Sequence, residues 1–365
     1  MSNRAEALID LTAIAANVKK LKADSGTSLM AVVKADAYGH GLVPVANAAL
    51  AAGADWLGVA LVEEAHKLRN EGVTAPILAW LVSPGSDYAA AIAANIDLAV
   101  PSLDIFHEIL ATGKKARIHI EVDTGMTRGG FLEEWPEFLK SDFSGVEVVG
   151  IFSHFARADE VSEKQNQDQL NKFNQAIIDL AGIGIKPQIK HLANSAATLT
   201  NKSAGFDLVR TGIAMYGLTP DLENLGTSKS LGLKPAMELR AKLHLVKQVP
   251  ANSPVGYGAT EFTSRDTVLG VVAMGYADGI PRVARTAGVF IEGKRAPIIG
   301  RVSMDQFVVD LGPEATAKAG DFVVIFNNGA AGEFTAEEWG SASNSINYEM
   351  TTRIGPRVPR IYSYE

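Results

Sequence analysis

Along the first 220 residues, short apolar runs of β character alternate with Ala- and Leu-rich segments of helical period. That arrangement builds a parallel sheet covered by helices. Eight runs stand out: LMAVVK (29–34), WLGVA (56–60), PILAWL (76–81), DLAV (97–100), RIHIEV (117–122), VEVVGIFS (146–153), PQIKHLA (187–193) and DLVRTGIAM (207–215). Between them, sets such as Val62, Ala65, His66, Leu68 and Arg69, or Leu170, Phe173, Ile177, Ile178 and Leu180, fall at helical spacing. Eight β/α units in about 220 residues is the arithmetic of a (β/α)8 barrel. An open, doubly wound sheet rarely needs eight units and usually opens with a Gly-rich turn, which this chain lacks.

From Lys234 onward the period changes. In ELRAKLHLVKQV (238–249), Leu239, Ala241, Leu243 and Leu245 alternate with Arg240, Lys242 and His244, the mark of a half-buried strand. TVLGVVAMGY, GVFIEGKRAPII with a turn at Glu292-Gly293-Lys294, QFVVDL and DFVVIF continue the pattern. The predicted fold is therefore an α/β (β/α)8 TIM barrel over residues 10–230, followed by a mainly β domain over 235–365. Residues 1–9 are a candidate addition to the second domain, and PDLENLGTSKSLGLKP (220–235) reads as the linker.

Composition narrows the chemistry. The 365 residues contain no cysteine, so disulfides, thiolate metal sites and cysteine nucleophiles are out of reach, and no metal site is expected. With 34 Lys+Arg against 41 Asp+Glu and no basic block, nucleic acid and anionic membranes are poor partners. The opening MSNRAEALID has no apolar core, and the most apolar stretch is broken by Pro44, Asn47, Gly53 and Asp55, which predicts a soluble, cytoplasmic protein.

Barrel enzymes carry their reactive groups where strands end, so the chemistry is expected at those positions. The first run closes on Lys34. A lysine there is ordinarily a solvated strand end, but at a barrel mouth it is also what carbonyl or Schiff-base chemistry requires. In the fifth run, Ile118, Ile120 and Val122 suit the helix-packed outside, which turns Arg117, His119, Glu121 and Asp123 inward. The loop that follows brings Arg128 over the mouth. The sixth run ends in Ser153-His154, the seventh in His191 and then Asn194-Ser195, and the eighth carries Arg210 before Gly212-Ile213. Loops after the seventh and eighth strands are the usual phosphate site of such barrels, although Asn194 and Ser195 equally suit helix capping. Lysine, phosphate cradle and arginine facing one mouth suggest pyridoxal 5′-phosphate.

Nine ordered motifs then match a family: VVKADAYGHG, DTGMTR, SHFARAD, HLANSAA, VRTGIAMYG, VGYGAT, MGYADGIPR, GRVSMDQ and INYE. Together they span nearly the whole chain, which resembles alanine racemase, a fold-type III pyridoxal-phosphate enzyme. The resemblance implies an isomerase that interconverts L- and D-alanine for cell-wall peptidoglycan. The resemblance further implies a head-to-tail homodimer with two catalytic bases on opposite faces of the substrate. By the same resemblance, Lys34 should bind the cofactor as an imine and be one base, and the other should be Tyr257, supplied by the partner subunit. A tyrosine base needs positive or hydrogen-bonding neighbours to hold its phenolate, and His154 is the first candidate. Arg210 should hydrogen-bond the pyridine nitrogen and leave it unprotonated, weakening the electron sink and suppressing side reactions. Tyr38, Ser195, Gly212, Ile213 and Tyr348 should hold the phosphate, with Asn194 nearby. Arg128 and the Met304 N–H should hold the substrate carboxylate. Tyr276 and Tyr348 should form the gate, with His191 and Asp305 in supporting positions.

Three positions depart from the family pattern. Glu121 stands where many members have a carbamylated lysine that holds the loop arginine, and it is expected to hold Arg128 by a charge-assisted bond, directly or through a water. Ser303 replaces a frequent cysteine, and Asp36 a more usual asparagine. A fold-type III decarboxylase would want a carboxylate in place of Arg210 and usually a catalytic cysteine. A non-catalytic pyridoxal-phosphate carrier would be a lone barrel. A racemase of serine or of a broader amino-acid set is the harder rival, because one group more or less in a pocket discriminates by only ~1–3 kcal/mol.

Overall fold

Apolar strands buried on both faces need partners on both edges, and the eight runs find them in one another. The computed structural model describes residues 3–284 and 286–364; residues 1, 2, 285 and 365, which fall in the expected β domain and its N-terminal addition, lie outside the described residues. After β1 (Ala5–Asp10), the runs form β2 (Ser28–Val32), β3 (Trp56–Val59), β4 (Ile77–Ala79), β5 (Ile96–Val100), β6 (Ala116–Glu121), β7 (Val146–Phe152), β8 (Ile189–His191) and β9 (Leu208–Thr211). They pair in parallel in the order β8-β7-β6-β5-β4-β3-β2-β9. Backbone bonds from Asp207 N–H to Lys190 O (3.1 Å) and from Arg210 N–H to Ala193 O (2.9 Å) join the two ends. This is the expected (β/α)8 barrel.

The parity expected of the fifth run holds. Ile118, Ile120 and Val122 pack into the layer shared with the surrounding helices, whereas His119 points inward. The barrel interior is a smaller, separate cluster of Met30, Trp56, Leu78, Ala99, Val149, Phe152 and Leu208. Several strands stop earlier than their apolar runs. The run at 29–34 leaves β structure after Val32, and the run at 207–215 turns at Gly212 into a 3-10 segment, Ile213–Tyr216. These early stops put chain ends, rather than more strand, at the C-terminal mouth.

The second half builds β10 (Met237–Val249), β11 (Pro254–Val255), β12 (Glu261–Phe262), β13 (Thr267–Val272), β14 (Gly288–Ile291), β15 (Lys294–Pro297), β16 (Phe307–Asp310), β17 (Phe322–Phe326) and β18 (Arg360–Ser363). The long β10 changes partners along its length: its first half lies between β1 and β17, and after a shift near Leu243 it pairs with β13. β1 bridges the chain ends, antiparallel to β10 and parallel to β18. The hydrophobic pattern did not announce β18, nor the helices Ala336–Ala342 and Asn347–Thr352, which are short and partly exposed. The second of these helices lies at the mouth of the barrel. Among the described residues, no helix is long and apolar enough to cross a membrane, and no group of three or more His, Asp or Glu is placed to hold a metal ion.

Gly217 leads from the barrel into the connecting stretch with φ +82°, and a Cβ there would stand 1.8 Å from the Lys234 carbonyl oxygen. Gly53 has φ +103° but open space around it. Gly53→Ala should therefore cost only about 1–2 kcal/mol of left-handed strain. Gly217→Ala, which adds a backbone clash, should cost at least about 2 kcal/mol more. Denaturant unfolding of the two variants checks the difference.

Candidate active site

The segment after β2 is unusual for L-residues. Ala35, Asp36, Ala37 and Tyr38 have φ of 54°, 51°, 54° and 52°, four left-handed positions in succession. External hydrogen bonds hold the turn. Glu64 accepts from Ala35 N–H at 2.6 Å and also from the Ala60 and Leu61 amides, tying the ends of β2 and β3 together. Asp36 accepts from Leu42 N–H at 2.9 Å, so the residue that departs from the family pattern caps the next helix. The turn places Lys34 at the mouth, with Nζ 5.9 Å from the Trp80 ring centroid, and stacks Tyr38 on Tyr216 at 4.8 Å. Burial, reinforced by the Arg128 charge, pulls the Lys34 amine below its ordinary value, and Glu64 opposes this. Burial likewise pushes the Tyr38 and Tyr348 hydroxyls up, so both act as neutral hydrogen-bonding groups.

Lys34 lines a cavity of about 490 Å³ together with Tyr38, Glu121, Arg128, His154, Asn194, Ser195, Arg210, Gly212, Ile213 and Tyr348. The structure thus gathers most of the predicted residues around one space. Arg210 is 6 % exposed. Its guanidinium donates to the Ser153 carbonyl at 2.7 Å and the His191 carbonyl at 2.8 Å, and meets Nδ1 of His154 at 3.2 Å and Nδ1 of His191 at 3.3 Å. Burial lowers its pKa to about 10, with Glu121 opposing, which leaves it cationic at neutral pH. Burial and the same guanidinium hold His154 well below its ordinary value, so it is neutral.

Asn194 and Ser195 divide the two tasks considered for them. Asn194 caps its helix through Ala197 N–H at 3.0 Å, while Ser195 Oγ reaches across to Gly212 N–H at 2.9 Å and Ala214 N–H at 3.3 Å. Gly212 has no room for a side chain, since a Cβ would lie 2.4 Å from the Tyr38 hydroxyl. Hydroxyl and amide groups therefore converge on one corner of the cavity.

Arg128 rides on a loop that folds back over β6. Asp123 Oδ1 accepts from the amides of Gly125, Met126 and Thr127, and the loop returns as Phe131 N–H bonds Glu121 O at 2.8 Å. Glu121 lies beneath this loop, so close that a Cβ on Gly129 would be 3.2 Å from its Oε1. Among the described residues no hydrogen bond or ion pair joins Glu121 to Arg128. The Glu121 carboxylate lies against Gly129 instead, without the expected direct bond to Arg128. Burial raises the Glu121 carboxyl to about 7, against the pull of Arg210 first and Arg128 second.

Tyr348 reaches this cavity from the C-terminal half of the same chain, its ring 6.2 Å from that of Tyr38. Tyr257 and Met304 do not reach it. They line a separate hollow of about 450 Å³ with Arg301, Ser303 and Asp305, and are 71 % and 53 % exposed. Asp305 is paired with Arg357 at 2.7 Å. Tyr276 is 40 % exposed on a 3-10 turn rather than in a strand, and its N–H bonds the Ser303 carbonyl. Sequence reasoning missed Trp80, Phe152, Glu64 and Tyr216. Trp80 was within reach, since it shares the inward parity of Leu78 in its run.

An eight-stranded barrel whose mouth is lined in part from an appended β domain is a two-domain enzyme architecture. Residues 9–220 match the family described as alanine racemase, N-terminal domain, and residues 236–362 match alanine racemase, C-terminal domain. The chain belongs to the alanine racemase family, which places it among the isomerases. It is 48 % identical to the alanine racemase of Salinispora arenicola, with 99 % of each chain covered, and 47 % identical to that of Thermobifida fusca, covering 100 % of this chain and 99 % of the relative. The crystal structure of alanine racemase from D-cycloserine-producing Streptomyces lavendulae superposes with a TM-score of 0.97 at 46 % identity, covering 100 % of this chain and 98 % of that one. That of the Bacillus anthracis enzyme with bound L-Ala-P gives 0.92 at 38 % identity, covering 100 % and 96 %.

Glu121 gives a pH test. Its folded value, about 7, lies above the ordinary carboxyl value of 4.5, so its ionisation disfavours the fold. The stability it permits is full below pH 4.5 and is lost as pH rises towards 7. Glu121→Gln, always neutral, should match wild type at low pH and gain on it in thermal stability between those limits, with a constant advantage above pH 7. A stability gap that does not change with pH would show that Glu121 is not the buried acid described.

Proposed function

We propose that this protein interconverts L- and D-alanine, using pyridoxal 5′-phosphate, as a head-to-tail homodimer in the cytoplasm, and so supplies D-alanine for peptidoglycan. The observation that carries the reading is the single cavity in which a buried amine, Lys34, faces a cationic Arg210 and a corner of hydroxyl and amide donors. Those groups suit the cofactor on their own chemistry: an amine for the aldehyde, and Tyr38, Ser195, Gly212, Ile213 and Tyr348 for the phosphate. The missing Cβ at Gly212 keeps backbone and Tyr38 hydroxyl close enough to share one ligand. When bound, the cofactor supplies an electron sink that acidifies the Cα–H of an amino acid joined to it.

The chain's own residues do the rest. Lys34, with its affinity for a proton reduced by burial, takes and returns a proton on one face. Arg210 stays charged and would donate to the cofactor's ring nitrogen, so that this nitrogen would remain unprotonated. Arg128 at the rim binds the substrate carboxylate. The proton on the opposite face belongs to Tyr257 of a second copy, with the Met304 N–H of that copy on the carboxylate. Both residues lie exposed on a concave surface away from their own chain's cavity, which supports a site completed between copies. Two fixed bases on opposite faces let a proton leave one side and return on the other without either base moving. Tyr276 and Tyr348 narrow the entrance.

The test incubates the yellow holoenzyme with L-alanine and, separately, with L-serine, and follows loss of optical activity. Alanine should racemise; bound cofactor with no change in alanine would overturn the proposal, and the serine arm measures breadth. Lys34→Ala should lose the visible absorbance band. Tyr257→Phe should keep that band and lose about 10²-fold or more in kcat from L-alanine.

A further inference from the structure

Beneath Arg210 the barrel axis carries a column of polar side chains through the apolar interior. His191 Nε2 lies 2.8 Å from His119 Nδ1, and His119 Nε2 lies 3.4 Å from Asp97 Oδ2, an electrostatic contact whose geometry falls short of a hydrogen bond and leaves that nitrogen without another partner among the described residues. Asp97 is gripped from the far end of the barrel by Arg117, Nε to Oδ1 at 2.8 Å and Nη2 to Oδ2 at 3.1 Å. Asp97 is 1 % exposed and both histidines 0 %. Such groups are costly in a barrel core unless each finds a partner. The surroundings are shaped to them. Phe152 stacks on His191 at 5.0 Å, and Trp56 meets the His119 ring edge-on at 5.3 Å. Gly150 leaves the space His119 occupies, since a Cβ there would be 2.2 Å from Nδ1.

The column has a direction. A guanidinium only donates, so the His191 Nδ1 facing Arg210 must be bare. A neutral His191 then carries its proton on Nε2 and donates to His119 Nδ1. That leaves the His119 proton on Nε2, facing a carboxylate that only accepts. The cationic end and the anionic end demand the same order.

We propose that Asp97, His119 and His191 form an ordered relay that locks both imidazoles in the Nε2–H tautomer and presents a fixed acceptor to Arg210, making all three positioning residues for that guanidinium. The relay's bearing on racemisation rests on the reading of Arg210 given above; its proton order does not. Polarised by the carboxylate, each ring is a better acceptor than an isolated imidazole, so Arg210 keeps its charge and its aim at the cavity.

The experiment is two-bond ¹H–¹⁵N NMR of ¹⁵N-histidine-labelled holoenzyme, where the chain's seven histidines make assignment by substitution practical. His119 and His191 should both report a bare Nδ1 and a protonated Nε2. A protonated Nδ1 or a doubly protonated ring at either position overturns the relay, whether or not the enzyme racemises alanine. In Asp97→Asn, whose amide N–H can face His119, Arg210 alone still imposes the order, so the tautomers of His119 and His191 should become mixed. Its kcat should fall about tenfold or more, with the alanine KM within about twofold. Asp97→Glu, which keeps an acceptor, should retain the Nε2–H tautomers. Unchanged tautomers in Asp97→Asn, or mixed tautomers with an unchanged kcat, would overturn the positioning role. If Asp97→Asn does not fold, the wild-type tautomers decide.

Discussion

A full positive charge held out of water at the mouth of a barrel is the constraint on which this structure turns. Arg210 satisfies it with backbone carbonyls from the ends of two neighbouring strands and with two neutral histidines. That arrangement requires β7 and β8 to stop where their carbonyls can turn inward, and it requires His154 and His191 to stay uncharged, which burial and the guanidinium itself ensure. A buried cation with fewer acceptors would cost several kcal/mol. Glu121 supplies opposite charge only in part, because the same burial raises its own proton affinity.

The second demand on the mouth is conformational. Four successive left-handed residues cost on the order of 1–2 kcal/mol each, and strain of this kind persists only where the surroundings over-determine it. Here Glu64, Asp36 and the Tyr38–Tyr216 stack fix the turn from three directions. The result aims Lys34 and Tyr38, four residues apart, into one cavity.

Much of this was legible in the chain. Strongly periodic apolar runs gave eight barrel strands and the change to a β domain, and parity turned His119 inward correctly. Strand ends were harder, because apolar character continues past Val32 and Thr211 into turns whose geometry depends on tertiary contacts. Phe152 was hidden by a register irregularity: Ile118 pairs with Val148 but His119 with Gly150, which breaks the simple alternation along β7. The motifs named Tyr257 and Met304, yet no pattern within one chain says that they stand apart from Lys34. The reach from Glu121 to Arg128 was also unreadable, since it depends on how far the loop through Gly130 folds back.

Tyr348 gives the two halves of the chain a common stake. It starts on a helix of the C-terminal half, and its ring stands beside Tyr38 on the barrel. Any ligand filling that corner touches both halves, so its binding free energy adds to the stability of their association as well as to that of the barrel, by RT ln(1 + [L]/Kd). An occupant of that corner would then act as a fastener between the two halves as well as a guest of the barrel.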